Sequence, residues 1–165
     1  MTASTRGFTF KPATIDDVPV LTSNMLTRGL QDFERVGQHP ILSLTLYMYY
    51  DDSFLIYGPD GSLYGSYGVS DDNYVWIQMT NKVKENPRTT VRFGKALMEH
   101  INRPLLWTTI DIENTALVNL ARYLGFKVLR VFPDGPDNVY SIEIVRLCQQ
   151  GQTQQAIYNQ PQEAV

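Results

Sequence analysis

A helix with both of its ends marked in the sequence lies between two apolar strands, and this unit restricts the chain to an α/β fold. Residues 114–126 (NTALVNLARYLGF) begin with a capping asparagine, and Gly125 stands where a left-handed residue ends a helix. The continuous apolar run LLWTTIDI precedes this segment and is typical of a strand buried on both faces, while FKVLRVF follows as another strand. The predicted core face of the helix is Leu117, Leu120, Ala121 and Leu124.

The first third of the chain predicts one strand and two helices. Phe8 and Phe10 alternate with polar residues in an opening strand. Thr14 is expected to cap a first helix that stops near Gly29. Residues 41–50 predict a second short helix, although the same residues would also suit a strand.

The remaining elements are set by turn residues and proline. Residues 53–80 predict an antiparallel meander of three strands, with a turn at Pro59-Asp60-Gly61. A helix is expected from Pro87 to about Asn102, and a last hairpin turns at residues 133–136. The predicted order is β-α-α-β-β-β-α-β-α-β-β, an α/β fold with a mixed and mostly antiparallel sheet flanked by helices.

Charge and composition exclude several functional classes. The net charge is −3, and no two basic residues are adjacent, so the chain lacks the footprint of sequence-independent nucleic-acid binding; a localised basic groove stays open. A single cysteine, Cys148, rules out an internal disulfide framework and multi-thiolate zinc sites, and His39 and His100 are too few for His-rich metal centres. No apolar run approaches the length of a membrane span, and the N-terminus lacks a secretory apolar region. We therefore expect a soluble protein of a reducing compartment, with no metal.

The last residues differ in composition from the rest. Residues 149–165 contain seven glutamines and few apolar side chains, so they cannot bury enough surface to fold alone. We expect residues 1–148 to form one domain and residues 149–165 to form an arm that is disordered or ordered by a partner.

The order of elements resembles the fold of the GCN5-related N-acetyltransferases (GNAT) over roughly residues 8–147. Residues 114–126 carry the clearest similarity, since the family also has an Asn-capped helix that ends in Leu-Gly-Phe. The resemblance implies an acyl-CoA N-acyltransferase fold, although the cap, the glycine and the aromatic residue all have structural uses of their own.

The same resemblance implies where acetyl-CoA would bind. Family members that use it carry a Q/R-x-x-G-x-G/A loop before the helix that follows the fourth strand, and its glycines let backbone N–H groups approach the pyrophosphate. Thr89, Arg92 and Gly94 occupy these positions here, so only the last matches, and Arg92→Gly should improve binding if the chain is an enzyme. The implied acetyl-CoA residues are Gln78, Met79 and Thr80 along the pantetheine, together with Arg92, Gly94 and Asn114.

The general acid implied by the resemblance is missing. Many transferring members carry a tyrosine seven residues after the capping asparagine, and that position is Ala121 here. Tyr123 is two residues further along the helix and turns away by about 200°. Glu99, Glu113 and His100 are the remaining candidates for a base, but each is expected on an ordinary helix surface, so no catalytic residue is assigned.

A second resemblance is to phage proteins of the acetyltransferase fold, a group that includes the internal virion protein A of short-tailed phages. The matching features are His39-Pro40, the strand VWIQMT at 75–80, Asn86-Pro87, and LWTTIDIEN at 106–114, which contains the second tryptophan. This resemblance implies a non-catalytic virion or assembly component, located in the particle and in the host cytoplasm during assembly.

Two functions therefore stay open. The missing glycine and tyrosine favour a non-catalytic virion or assembly component that binds portal, tail or ejection proteins; the alternative is an active acetyl-CoA-dependent N-acetyltransferase acting on a host or phage amine. Tyrosine is enriched in protein interfaces, so we expect the tyrosines of residues 47–64 and the glutamine-rich arm to contact the partner. These tyrosines are Tyr47, Tyr49, Tyr50, Tyr57 and Tyr64.

Overall fold

The computed structural model describes residues 2–85, 87–136 and 139–147, so the predicted arm at 149–165 lies outside the described residues. The strands are β1 (Ala3–Thr5), β2 (Phe8–Pro12), β3 (Asp52–Tyr57), β4 (Leu63–Val69), β5 (Val75–Met79), β6 (Leu105–Asp111), β7 (Lys127–Pro133) and β8 (Tyr140–Leu147). The helices are α1 (Val18–Asn24), α2 (Thr27–Arg35), α3 (Pro40–Tyr50), α4 (Pro87–Ile101) and α5 (Thr115–Tyr123). Short 3-10 turns precede α1 at Ile15–Asp17 and α4 at Asn81–Glu85.

The strands form two sheets. β1 to β5 lie in sequence order and pair antiparallel, which confirms the meander predicted for residues 53–80. Its first turn contains Gly61 at φ +76°, a left-handed conformation that glycine adopts without strain. The second sheet has the order β6-β8-β7 and is also antiparallel. The predicted α/β class is confirmed.

The first predicted helix is in fact two helices. Met25 and Leu26 have ψ angles of 149° and 134°, so the backbone is extended between α1 and α2. The helix is interrupted there because the backbone of both residues pairs with the end of β5. Leu26 does so by a hydrogen bond and Met25 by a β-bridge. α2 then continues through Gly29 to Arg35, beyond the predicted end.

The helix over residues 114–126 is confirmed with one change in its buried face. The Asn114 side-chain oxygen accepts a hydrogen bond from the Leu117 N–H at 3.3 Å, and Gly125 has φ +91°. Val118 and Ala121 are the most deeply buried residues of α5, while the three leucines of the predicted core face are half-buried.

Two apolar clusters hold the domain together. The larger one lies between the sheets, α4 and α5, and the smaller one lies under α1 to α3 and includes Trp76, which is 3% exposed. The Trp76 indole N–H donates to Asp51 at 2.8 Å, and the Trp107 indole N–H donates to the Asp72 carbonyl at 3.0 Å. Both tryptophans therefore have the polar partner that a largely buried indole requires.

Candidate functional site: the crevice between the two sheets

Strands β5 and β6 run parallel where they meet and belong to different sheets. Among the described residues, the bridge that joins them lies near the beginning of β5, where Tyr74 bridges Trp107 and the Trp107 N–H donates to the Asn73 carbonyl at 3.1 Å. We call the region between the two strands beyond this bridge the crevice. Beyond this point β5 belongs to the first sheet and β6 to the second. In open α/β sheets, ligands bind outside the carboxyl ends of such strands, so this crevice is the candidate site.

The connection between α1 and α2 covers the β5 side of the crevice. The Leu26 N–H donates to the Met79 carbonyl at 2.9 Å, and Met25 forms an antiparallel bridge with Thr80. The Asn81 side-chain amide donates to the Met25 carbonyl at 3.1 Å. These bonds fix the start of α2 against the last residues of the strand.

Gly29 lets α2 approach the strand closely. A Cβ atom at this position would lie 3.1 Å from the side-chain oxygen of Gln78 and 3.4 Å from the Met25 methyl. The first of these distances is tighter than ordinary van der Waals contact, so the missing side chain is what allows the helix to contact Gln78. A glycine inside a helix is destabilising by itself, and this contact is the compensating gain.

Charged side chains along the whole of α2 fix the helix to β6 and to the start of α5. Arg28 and Arg35 bind the same Asp111 oxygen at 3.0 and 2.7 Å, and Arg35 also binds Glu113 at 2.6 Å. Arg28 pairs with Asp32 at 2.7 Å within the helix, and Asp32 accepts a hydrogen bond from the Asn114 amide at 2.8 Å. We call this set the α2 clamp; its members are Arg28, Asp32, Arg35, Asp111, Glu113 and Asn114.

The electrostatics of the α2 clamp follow from burial and pairing. Burial raises the pKa of Asp32, while the hydrogen bond from Asn114 and the charge of Arg28 act in the opposite direction. The Arg35 guanidinium lowers the pKa of Glu113, because it hydrogen-bonds to the charged form. The Asp111 side chain is only 4% exposed, so its charge depends on the two arginines for compensation.

Comparison with solved structures identifies the fold. No family model and no curated protein sequence matches the chain. An acetyltransferase of the GNAT family from Bacillus anthracis superposes with a TM-score of 0.63 at 12% identity, covering 89% of this chain and 98% of that one. The chain has the GNAT fold.

Two further GNAT structures agree. Spermidine N-acetyltransferase from Vibrio cholerae, solved in complex with CoA and spermine, superposes with a TM-score of 0.62 at 12% identity, covering 87% of this chain and 96% of that one. The acetyltransferase from Salmonella typhimurium that modifies the N-terminal serine of ribosomal protein L7/L12 gives 0.58 at 13% identity, with 86% and 95% covered. At these identities the similarity establishes the fold and leaves the function of this chain to its own residues.

The three predicted pantetheine residues lie at the crevice but already have partners within the chain. The side chain of Gln78 contacts α2 at Gly29, and the carbonyl of Met79 is bound by Leu26. Thr80 is 2% exposed, and its hydroxyl donates to the Leu63 carbonyl at 2.7 Å.

Arg92 and Gly94, which the resemblance places at the glycine positions of the pyrophosphate motif, both lie inside α4, and this helix begins at Pro87 as predicted. The Arg92 guanidinium donates to the Arg6 carbonyl at 3.0 Å. A Cβ at Gly94 would lie 2.9 Å from a methyl of Leu124, so this glycine allows α4 and α5 to pack closely. Its small size therefore has a structural reason that requires no phosphate.

Asn114 and the position of the general acid also carry structural roles. Asn114 caps α5 with its oxygen and binds Asp32 with its amide, so both ends of the side chain are engaged. Ala121 is 7% exposed within the core, and Tyr123 is 58% exposed, with the Lys95 ammonium over its ring at 5.2 Å.

The three candidate bases are all paired. Glu99 forms an ion pair with Arg6, and Glu113 belongs to the α2 clamp. His100 is half-buried, stacks on Phe10 at 4.1 Å and hydrogen-bonds through Nδ1 to the Tyr67 hydroxyl at 2.6 Å. Among the described residues, no group of three or more acidic, histidine or cysteine side chains is arranged to hold a metal ion.

The five tyrosines predicted to bind a partner fall into two groups. Tyr64 is 6% exposed, Tyr47 stacks on Trp76 at 5.4 Å, and the Tyr57 ring is covered by the Lys11 ammonium at 4.6 Å. Tyr49 and Tyr50 are instead 69% and 76% exposed at the end of α3.

Sequence reasoning missed most of the α2 clamp. Arg28, Asp32 and Arg35 are spaced at i, i+4 and i+7, which places them on one helix face with alternating charge. This pattern is present in the sequence, but the prediction that the first helix ends near Gly29 separated Arg28 from Asp32 and Arg35. The carboxylate of Asp111 that completes the set follows a long apolar strand and has no local pattern of its own.

Proposed function

We propose that this chain is a GNAT-fold protein without acetyltransferase activity, acting as a virion or assembly component of a phage. Its proposed partners are other virion proteins of the portal, tail or ejection apparatus, and its proposed locations are the particle and the host cytoplasm during assembly. The resemblance of residues 75–80 and 106–114 to phage proteins of this fold supports the phage assignment.

The contact of α2 and its preceding connection with the end of β5 is the observation that carries the non-catalytic assignment. Pantetheine would need backbone groups along the end of β5, but the Met79 carbonyl is bound by Leu26 and α2 lies against Gln78. The residues at the crevice therefore do not fit acetyl-CoA in this arrangement. The position of the family's catalytic tyrosine is Ala121, and the candidate bases have partners within the protein.

Calorimetry with acetyl-CoA tests this assignment directly. We expect no binding up to millimolar ligand, and no acetylation of spermidine or of a serine-terminated peptide in a CoA-release assay. Micromolar binding together with turnover of either amine would establish an enzyme instead.

Quantification in purified particles tests the virion assignment independently. Mass spectrometry with a labelled standard should find this chain at a fixed ratio to the capsid protein, or in assembly intermediates if it acts before maturation. Absence from both would overturn the virion role.

N-acetyl transfer to an amine is the second candidate function, and the similar solved structures favour it over the first. Those structures are N-acetyltransferases, and one of them holds CoA and spermine. Under this assignment α2 would have to leave the crevice before acetyl-CoA could reach the backbone of residues 78–80.

A double variant separates these two functions. Arg28→Ala with Arg35→Ala removes the cations that hold α2 to Asp111. If the crevice is merely covered, this variant should bind acetyl-CoA at least about tenfold more tightly than the native chain; no gain supports the non-catalytic assignment. Arg130→Ala, which removes an ion pair to Glu143 on the second sheet, is the matched control.

A further inference from the structure

Helix α3 is apolar on all sides, although the described residues of the chain cover only one side. The helix has no charged residue, and two of its own side chains, Leu44 and Met48, are buried against the domain. Helices that are hydrophobic all round are normally buried all round. Its exposed apolar residues are from 47% to 76% exposed; they are Ile41, Leu42, Leu46, Tyr49 and Tyr50. Ile41 is on the same side as Met48, whereas the other four lie on the side opposite Leu44, and we call these four the outer face of α3.

The charges around the outer face of α3 argue against a lipid surface. Helices that lie on membranes carry lysine or arginine beside the apolar face, whereas α3 has none and is followed by Asp51 and Asp52. Asp71 and Asp72 lie close enough to Asp51 to act on it electrostatically. Anionic headgroups would be repelled by this acidic end. No helix in the described part of the chain is long and apolar enough to cross a membrane.

The order of side chains along α3 makes the outer face complementary to itself. Tyr49 and Tyr50 stand at its C-terminal end, Leu42 at its N-terminal end, and Leu46 between them. In an antiparallel pair related by a two-fold axis, the tyrosines of each copy would cover Leu42 of the other. Leu46 would then meet its own copy near the axis, as an isologous interface requires.

Electrostatics select the antiparallel arrangement over the parallel one. Asp51 and Asp52 of one copy would lie beside the start of the other α3, where the helix dipole is positive and the first turn contains no acidic residue. The two acidic ends would be about 15 Å apart, which exceeds the screening length of about 8 Å at physiological salt. A parallel pair would bring both acidic ends together.

We propose that the outer face of α3 is the interface of an antiparallel homodimer of this chain. The four side chains expose on the order of 600 Å² per protomer, so a dimer would bury about 1,200 Å², the lower limit for a specific interface. Interfaces of this size are typical of transient association, so the dimer should dissociate on dilution. The inference does not depend on the proposed function, because an enzyme and a virion component would both have to cover this face.

Sedimentation analysis of the full chain tests the dimer. Between about 1 and 200 µM the native chain should pass from monomer to dimer, and Leu46→Asp or Tyr49→Ser should raise the dissociation constant at least about tenfold. Leu129→Asp is the matched control, because Leu129 is 59% exposed on β7, and it should leave the association unchanged. A native chain that stays monomeric overturns the proposal.

Cross-linking tests whether the outer face of α3 forms the contact. In a Cys148→Ser background, Leu46→Cys should form a covalent dimer with a short bismaleimide, and Leu129→Cys should not. Cross-linking at the second site alone, or a dimer unaffected by Leu46→Asp, would place the interface elsewhere and overturn the proposal. If the chain remains monomeric but a virion protein protects Tyr49 and Tyr50 from exchange or modification, the occupant is that protein and not a second copy.

Discussion

The crevice between the sheets and the outer face of α3 differ in whether their side chains have partners within the described part of the chain. At the crevice, the charged and polar groups of α2, β6 and α5 are paired with one another within the chain. On α3, four large apolar side chains project outward and are not covered by the described residues. Burying paired charges gains little free energy, whereas covering apolar surface is the main driving force of association. We therefore expect protein association on the outer face of α3.

The largest expected effect comes from breaking the α2 clamp at its centre. Asp111→Ala removes a carboxylate that is 4% exposed and leaves Arg28 and Arg35 without their shared partner. Loss of one partner of a buried ion pair costs about 3 kcal/mol or more in the free energy of unfolding. Urea denaturation followed by circular dichroism measures this.

An exposed ion pair supplies the control for that variant. Glu99→Gln removes the partner of Arg6, both side chains are nearly half exposed, and the change should cost less than about 1 kcal/mol. Equal costs for the two variants would show that the α2 clamp contributes no more than a surface pair, and the contrast drawn between the crevice and α3 would fail.

Two leucines on opposite sides of α3 give the next largest contrast. Leu44 is fully buried and Leu46 is 47% exposed, two residues further along the same helix. Leu44→Ala should lower the free energy of unfolding by about 2 to 4 kcal/mol because it leaves a cavity, whereas Leu46→Ala should lower it by less than about 0.5 kcal/mol. Thermal or urea unfolding at micromolar concentration, where the monomer dominates, checks both. A large cost at Leu46 would mean that its face is already packed within the monomer.

The parts of the fold that could be predicted are those whose signals are local. The meander, α4 and the capped helix α5 follow from turn residues, proline and apolar spacing within a few residues. The break between α1 and α2 could not be predicted, because Met25 and Leu26 adopt extended backbone only in order to pair with Thr80 and Met79 on a distant strand. The short hairpin strand β1 was missed for the same reason, since its register depends on β2.

The candidate site also contains some features that could be predicted from the sequence and others that could not. The position of Asn114 and the approach of Gln78 to the crevice could be inferred from resemblance to the family. The start of α4 at Pro87 was predicted and already placed Arg92 and Gly94 inside the helix. The bond from Arg92 to Arg6 and the packing of Gly94 on Leu124, however, join distant segments and could not be predicted. The role of Asp111 depends on two arginines about 80 residues earlier in the chain, and only tertiary structure brings them together.

Arg92→Gly gives a smaller effect and tests whether this helix can be returned to phosphate binding. Because Arg92 lies inside α4 and binds the Arg6 carbonyl, glycine should lower the free energy of unfolding by about 1 to 2 kcal/mol. Acetyl-CoA affinity should not rise, contrary to the expectation from the alignment. Arg92→Ala separates the lost hydrogen bond from the glycine effect. Calorimetry showing tighter acetyl-CoA binding to the glycine variant would restore the phosphate-loop assignment.

The pH dependence of stability tests the buried environment of His100. Burial lowers the pKa of the His100 imidazole below its ordinary value of 6.5, so the folded state disfavours the charged form. As the pH falls below about 6.5, the unfolded chain binds the proton first, and stability should decrease until the pH passes the lowered value of the folded state. Urea midpoints between about pH 5 and 8 should show this slope in the native chain and in His39→Gln, but less of it in His100→Gln. Identical slopes in all three proteins would contradict the assignment to His100.

Removal of the glutamine-rich arm should have the smallest effect on stability. Residues 149–165 contain seven glutamines and few apolar side chains, so little apolar surface is available for them to bury on the domain. A chain ending at Cys148 should therefore melt within a few degrees of the full chain and, if α3 forms the dimer interface, should dimerise with an unchanged dissociation constant. Differential scanning calorimetry and sedimentation analysis measure the two quantities separately. A larger drop in melting temperature would show that the arm packs on the domain, and a weaker dimer at unchanged melting temperature would show that it contributes to the interface beside α3.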